Sequence, residues 1–96
     1  MESNRPHVEF LKGELALGFT FALIASQRLE AGNRKQAEKS LDNAEKAYET
    51  VLRFMSDAKY SKQLTSLEME ELTVEREKLR KKLEALRKSE SQVSSG

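Results

Sequence analysis

The segment over residues 34–59 carries the most regular alternation of apolar and polar positions in the chain. Its apolar positions follow alternating steps of four and three, and they are Ala37, Leu41, Ala44, Tyr48, Val51, Met55 and Ala58. This spacing places them on one stripe of an α-helix. Charged and amide side chains occupy the opposite side. The pattern therefore predicts a helix over 34–59 with one packed and one solvated face.

A first helix is predicted over 6–31, because Pro6 is tolerated in a first helical turn. Gly32 can adopt the left-handed conformation that ends a helix, and Asn33 can cap the next helix with Gln36 three residues further on. This helix carries two apolar stripes. One stripe consists of Val8, Leu11, Leu15, Phe19, Ala22 and Leu29, and the nearly opposite second stripe consists of Phe10, Leu17, Phe21 and Ile24.

The second stripe has two interpretations. In the first, Phe21 and Ile24 face the second helix, and Phe10 and Leu17 are ordinary exposed apolar residues. In the other, another chain covers the stripe. The second interpretation makes the whole stripe a candidate partner-binding surface, formed by Phe10, Leu17, Phe21 and Ile24.

A third helix is predicted to end at Ser89. Thr65 and Glu68 have the spacing of a capping box, which favours a start at Ser66, although an earlier start near Lys62 stays open. Its main apolar stripe is Leu72, Leu79, Leu83 and Leu86. With Met69 and a polar interruption at Arg76, the same positions form a short coiled-coil register, for which packing inside the domain is the favoured interpretation.

Short connections between three such helices predict an all-α, up-down-up three-helix bundle. Residues 1–5 form a predicted lead-in, 6–89 a single domain, and 90–96 a predicted disordered tail, since the sequence SESQVSSG is polar and terminal.

Composition narrows the setting of this fold. Charged residues make up 34% of the chain, the net charge is +1, and cysteine is absent. The near-neutral balance provides no global field toward nucleic acid or an anionic membrane. The longest apolar run, Leu15–Ala25, is shorter than the ~20 residues of a membrane span. The sequence therefore predicts a cytoplasmic protein without disulfides, secretory signal or membrane span.

The residue types needed for catalysis are scarce. His7 is the single histidine, and no Glu-x-x-His pair, glycine-rich phosphate loop or Gly-x-Ser-x-Gly elbow occurs. Neighbouring carboxylates such as those in EMEEL have the spacing of an exposed helix face. We therefore predict no enzymatic activity, catalytic residue, cofactor, metal or small-molecule substrate.

One local excess of charge supports an alternative. The segment Arg76–Lys88, REKLRKKLEALRK, holds seven bases and two acids. A nucleic-acid contact needs a cluster of this kind. However, the bases alternate with the leucine stripe and lie near a helix C-terminus, where cations are favoured in any case. A solvated helix end is the simpler interpretation.

Seven residues give the first two helices a hairpin pattern: Phe21, Ile24, Ala25, Gly32, Ala37, Leu41 and Ala44. The alanines are small enough to let two helices touch, while the larger residues fill the flanks. The pattern resembles one tetratricopeptide repeat over about 30 residues. Arg28 stands where that repeat prefers tyrosine, and Glu49 where it often has proline.

Stacked repeats of this family need about three or more copies, and only one is present here. A single hairpin closed by a third helix is similar to the microtubule-interacting and transport domain, which binds short peptide helices in a groove between its helices. This resemblance implies a peptide-binding role. The sequence as a whole predicts a non-enzymatic helical interaction module that forms a homodimer or docks a partner helix. The alternative is a nucleic-acid-contacting module that uses the basic third helix.

Overall fold

The computed structural model describes the backbone of residues 6–95 and the side chains of residues 8–91. Over that range the chain forms four helices, which are α1 (Pro6–Glu30), α2 (Arg34–Ser56), α3 (Ala58–Ser61) and α4 (Ser66–Ser95). These residues include no strand, and the three long helices confirm the predicted all-α class. The predicted lead-in 1–5 and the final residue of the predicted tail lie outside the described residues.

The turn between α1 and α2 forms as its sequence predicts. Gly32 has a φ of 79°, which a residue with a side chain rarely adopts. Its N–H donates to the Leu29 carbonyl at 3.0 Å, and the Asn33 N–H donates to the Arg28 carbonyl at 2.8 Å, which is the Schellman pairing. The Asn33 side chain accepts the Gln36 N–H at 3.3 Å and caps α2.

The predicted end of α2 at 59 is wrong, because the helix ends at Ser56. Asp57 leaves the helical conformation, with φ −85° and ψ 117°, and its carboxylate accepts the Lys59 N–H at 2.9 Å. This cap starts the four-residue helix α3. A capping aspartate therefore interrupts the helix although the segment contains neither glycine nor proline.

The capping box at the start of α4 is confirmed, and it excludes the earlier start near Lys62. The Thr65 N–H donates to Glu68 Oε1 at 2.9 Å, and the Glu68 N–H donates to Thr65 Oγ1 at 3.1 Å. The two residues thus satisfy each other's backbone donors before the first turn of α4.

The predicted end of this helix at Ser89 is wrong. α4 continues to Ser95, so the backbone of residues 90–95 is helical and the predicted disordered tail does not begin at 90. No glycine or proline interrupts the chain before Gly96. Glu90 is buried and accepts a hydrogen bond from Arg87 at 3.0 Å, which fixes the turn after the predicted end.

Contacts between the ends of the helices establish their directions. The rings of Phe10 and Phe54 lie 5.2 Å apart, so the start of α1 is beside the end of α2. Glu45 of α2 contacts Arg87 of α4, whereas Met55 of α2 contacts Arg76, so these helices are also antiparallel. α1 and α4 therefore run parallel. The resulting body measures 54 × 18 × 17 Å.

The contact between α1 and α2 is the most extensive in the molecule, and small residues permit it. A Cβ atom added at Gly18 would lie 3.5 Å from Ala47 Cβ and 3.7 Å from the Ala44 carbonyl oxygen. Ala47 was not part of the predicted α2 stripe, yet it is buried. In contrast, Tyr48 is half-buried and Ala58 is exposed. The stripe therefore turns toward α1 instead of following the heptad positions.

The other predicted stripes lie mainly inside the molecule. The α4 leucines are buried, as are Val8, Leu11, Leu15 and Ala22 of the first α1 stripe, while Phe19 and Leu29 are partly buried. The short coiled-coil register of α4 is consequently used within this chain. Arg76 remains in it as a polar interruption, with its Nη1 atom 3.8 Å from Met55 Sδ.

Candidate functional site

The second α1 stripe divides into an exposed and a packed half. Phe10 and Leu17 retain 44% and 46% of their surface, respectively. Phe21 and Ile24 are half-buried, and Phe21 packs against the core. The side of Phe10 is further covered by Phe54. The four predicted site residues therefore do not form one open face, although Phe10 and Leu17 are available at the surface.

A groove lies between the first half of α1 and the first half of α4. Its volume is about 750 Å³, and its lining residues are Lys12, Leu15, Ala16, Phe19, Leu67, Glu70, Glu71, Leu72, Val74 and Glu75. α1 and α4 make a much smaller contact than α1 and α2. Ala16 contributes only a methyl group, which leaves space between the two parallel helices.

The groove has an apolar floor and apolar borders. Leu15 and Leu72 are buried beneath it. Leu67 and Val74, on the α4 side, retain 64% and 49% of their surface. They are seven residues apart and so share one side of α4, away from the buried leucine stripe. Exposed aliphatic side chains beside an apolar groove are typical of a surface that receives an amphipathic helix.

Acidic side chains surround these apolar groups. Glu70, Glu71 and Glu75 line the groove and are exposed, whereas Lys12 is the only base among the lining residues. Lys78 Nζ lies 3.2 Å from Glu75 Oε2 and partly neutralises it. The groove therefore favours an occupant whose apolar stripe is flanked by basic residues.

Sequence reasoning did not identify this groove. It assigned EMEEL to an exposed face, which the structure confirms for Glu70 and Glu71. The available signal was the spacing of Leu67 and Val74, which lie seven apart but off the leucine stripe. Their relation to Ala16 and Phe19 depends on how α1 and α4 pack, and no local pattern encodes that.

A second cluster joins α2 to the end of α4. Arg87 donates to both carboxylate oxygens of Glu45, at 2.8 and 2.7 Å, to Asp42 at 2.9 Å and to Glu90 at 3.0 Å. These hydrogen bonds, chiefly those to Glu45, raise the pKa of the Arg87 guanidinium above its ordinary value, and desolvation opposes them. Arg87 is therefore cationic at every pH at which the fold exists.

The Arg87→Met substitution is expected to lower the free energy of unfolding by about 1–2 kcal/mol, because it removes charge-assisted hydrogen bonds but keeps an apolar stem. Glu90, which is 7% exposed, would lose its only hydrogen-bond partner among the described residues. Urea denaturation followed by circular dichroism measures the change. Lys82→Met is the control on an exposed part of the same helix, and an equal loss in the two variants would contradict a structural role of the cluster.

Much of the predicted basic surface is neutralised inside the chain. Arg80 lies 2.8 Å from Glu77 and 2.7 Å from Glu84, and its hydrogen bond lowers the pKa of the Glu77 carboxyl. Four of the seven bases in the segment have a carboxylate within 4 Å, and these are Arg76, Lys78, Arg80 and Arg87. The field available to a phosphate backbone is thus weaker than the sequence excess indicates.

Over the described residues, no group of three or more His, Cys, Asp or Glu side chains is arranged to hold a metal ion. The same part of the chain contains no helix with both the length and the apolar character that crossing a membrane requires.

Comparison of the chain with protein-family models, with curated proteins and with solved structures gave no match. The resemblance to a tetratricopeptide hairpin and to the microtubule-interacting and transport domain therefore stays a prediction from the residues.

Proposed function

We propose that this protein is a non-enzymatic interaction module that docks an amphipathic helix in the groove between α1 and α4. The observation that carries the proposal is the open apolar groove bordered by the exposed Leu67 and Val74. A docked helix would lie beside both parallel helices and complete a four-helix arrangement. Covering one such aliphatic side chain contributes about 1.5–3 kcal/mol.

This surface is better suited to docking than the second α1 stripe. The groove is concave, whereas Phe21 and Ile24 already pack inside the molecule and Phe10 lies against Phe54. Concave apolar surfaces remove more of a ligand's area from water than isolated exposed side chains do. The acidic border adds a preference for basic flanks, which a purely apolar surface lacks.

The alternative function, contact with nucleic acid, would use Lys81, Lys82 and Lys88. These lysines are exposed and form no ion pair with any side chain that the structure describes. Three charges without stacking aromatic residues give weak and strongly salt-dependent binding. The proposal therefore gives the groove precedence.

A synthetic helix of leucine and lysine, with leucines on one stripe, tests the groove directly. Fluorescence anisotropy of the labelled peptide is expected to show binding that Leu67→Glu and Val74→Glu each weaken at least tenfold, about 1.4 kcal/mol, by placing a carboxylate in an apolar contact. The Leu17→Glu variant is the matched control, since it changes an equally exposed aliphatic residue outside the groove.

Circular dichroism must show that all three variants keep their helical content. Equal binding of a scrambled peptide with the same composition would contradict helix docking. A loss confined to Leu17→Glu would move the docking surface to the second α1 stripe. Binding of a labelled oligonucleotide that exceeds peptide binding at physiological salt would favour the alternative function.

A further inference from the structure

We infer that the helix which occupies the groove belongs to a second copy of this chain, and that the two copies pair through antiparallel α4 helices. This inference rests on the proposed docking function. It is carried by the distribution of charge along α4, because the lysines beyond the groove complement the carboxylates that line it.

The complementary charges lie on the same side of α4. Glu71 and Lys78 are seven residues apart, and so are Glu75 and Lys82. Positions seven apart are two turns apart on nearly the same helix side. All four residues are exposed. The side of α4 that borders the groove is therefore acidic in its first half and basic in its second.

The four residues are also symmetric along the helix. Glu71 and Lys82 are equally distant from the point between Arg76 and Glu77, and Glu75 and Lys78 are equally distant from that same point. A two-fold axis through it would place Glu71 opposite Lys82 of the second copy. The same operation would place Glu75 opposite Lys78 of the second copy, and both contacts would occur twice.

This symmetry also selects the direction of pairing. In a parallel pair, Glu71 would meet Glu71 and Lys82 would meet Lys82, and like charges repel. In the antiparallel pair each carboxylate meets an ammonium group. The Glu75–Lys78 pair within one chain is a solvent-exposed contact of low energy, so either partner can exchange it for the second copy.

Apolar contacts fit the same arrangement. Leu67 and Val74 would lie against the basic half of the second α4, where Ala85 is exposed and lysine stems can cover aliphatic groups. On α1, Leu23 is exposed and lies four residues after Phe19 and seven after Ala16, so it continues the apolar border of the groove toward the second copy.

The size of the face indicates a weak dimer. The segment from Leu67 to Ala85 spans about 27 Å at 1.5 Å per residue, and the molecule is 18 Å wide. The face therefore covers roughly 500 Å² on each copy, which is near the lower limit for specific interfaces. We expect association at micromolar concentrations that decreases as salt rises.

Charge exchange between two variants of the full chain tests the pairing. Sedimentation equilibrium of the native chain is expected to move from 11.0 kDa toward twice that mass as concentration rises. The E71K/E75K and K78E/K82E variants should each dimerise at least tenfold more weakly. An equimolar mixture of the two should regain dimer, because every contact in the mixed pair again joins opposite charges. Such restoration would be specific to antiparallel pairing.

The K35E/K39E variant is the matched control, with two exposed lysines four residues apart on α2. A native chain that stays at 11.0 kDa would overturn the inference, while the peptide experiment would still decide whether the groove docks a helix. Equal dimerisation of native and charge-exchanged chains, or no restoration in the mixture, would also overturn it. Loss of dimer in K35E/K39E alone would place the interface on α2.

Discussion

Leu79→Ala is expected to lower the free energy of unfolding by about 3–5 kcal/mol, the largest effect of any single substitution considered for this chain. Leu79 is fully buried, and its Cδ2 atom lies 2.6 Å from where a Cβ atom of Gly18 would be. The side chain thus fills the place where α4 meets α1, and truncation would leave a cavity that helices on either side cannot close.

Urea denaturation monitored by circular dichroism measures this change. Domains of this size have a total stability of about 5–14 kcal/mol, so the variant should unfold at a clearly lower urea concentration. Leu67→Ala removes the same atoms from a site that is 64% exposed, and it should change stability by no more than about 0.5 kcal/mol. Comparable losses in the two variants would show that α4 does not pack by its Leu79 side.

Gly18→Val is expected to lower the free energy of unfolding by about 3 kcal/mol, because the site has no room for a side chain. Besides the Leu79 contact, a Cβ atom there would approach Ala47 and the backbone of Ala44. Additional methyl groups would force α1 and α2 apart. Thermal and urea denaturation provide the measurement.

Gly13→Val is the control for the propensity of valine in a helix, since nothing lies within 4 Å of a Cβ atom at Gly13. That variant should keep native stability or gain a few tenths of a kcal/mol. A double variant, Gly18→Val with Leu79→Ala, should lose less than the sum of the single losses, because the shortened residue makes room. Strict additivity would contradict the close crossing.

The parts of the fold that local chemistry encodes were predictable from the sequence. Gly32 and Asn33 supply a left-handed residue and a cap, and Thr65 with Glu68 supplies a reciprocal cap, so both boundaries lie where predicted. The break at Asp57 was missed although aspartate is a good cap, because the apolar stripe continues across it to Ala58. Periodicity outweighed a competing local hydrogen bond.

The candidate site was less predictable for a different reason. The second α1 stripe was visible in the sequence, but whether Phe21 faces solvent depends on where α2 crosses α1. The groove likewise depends on the separation of α1 and α4 beside Ala16. Arg87 reaches Glu45 from 42 residues away, so no helical spacing could indicate their contact. Relations between helices, in short, require their packing geometry.

The parallel course of α1 and α4 has a mechanical consequence. The start of α1 and the end of α4 lie at opposite poles of a body whose longest dimension is 54 Å. A tension applied between these poles acts along the helix axes, so it must slide α1 and α4 past each other and past α2. The close crossing at Gly18 and the Arg87 cluster resist that sliding together instead of yielding one after another. The geometry thus suits a rigid strut that transmits load along its length.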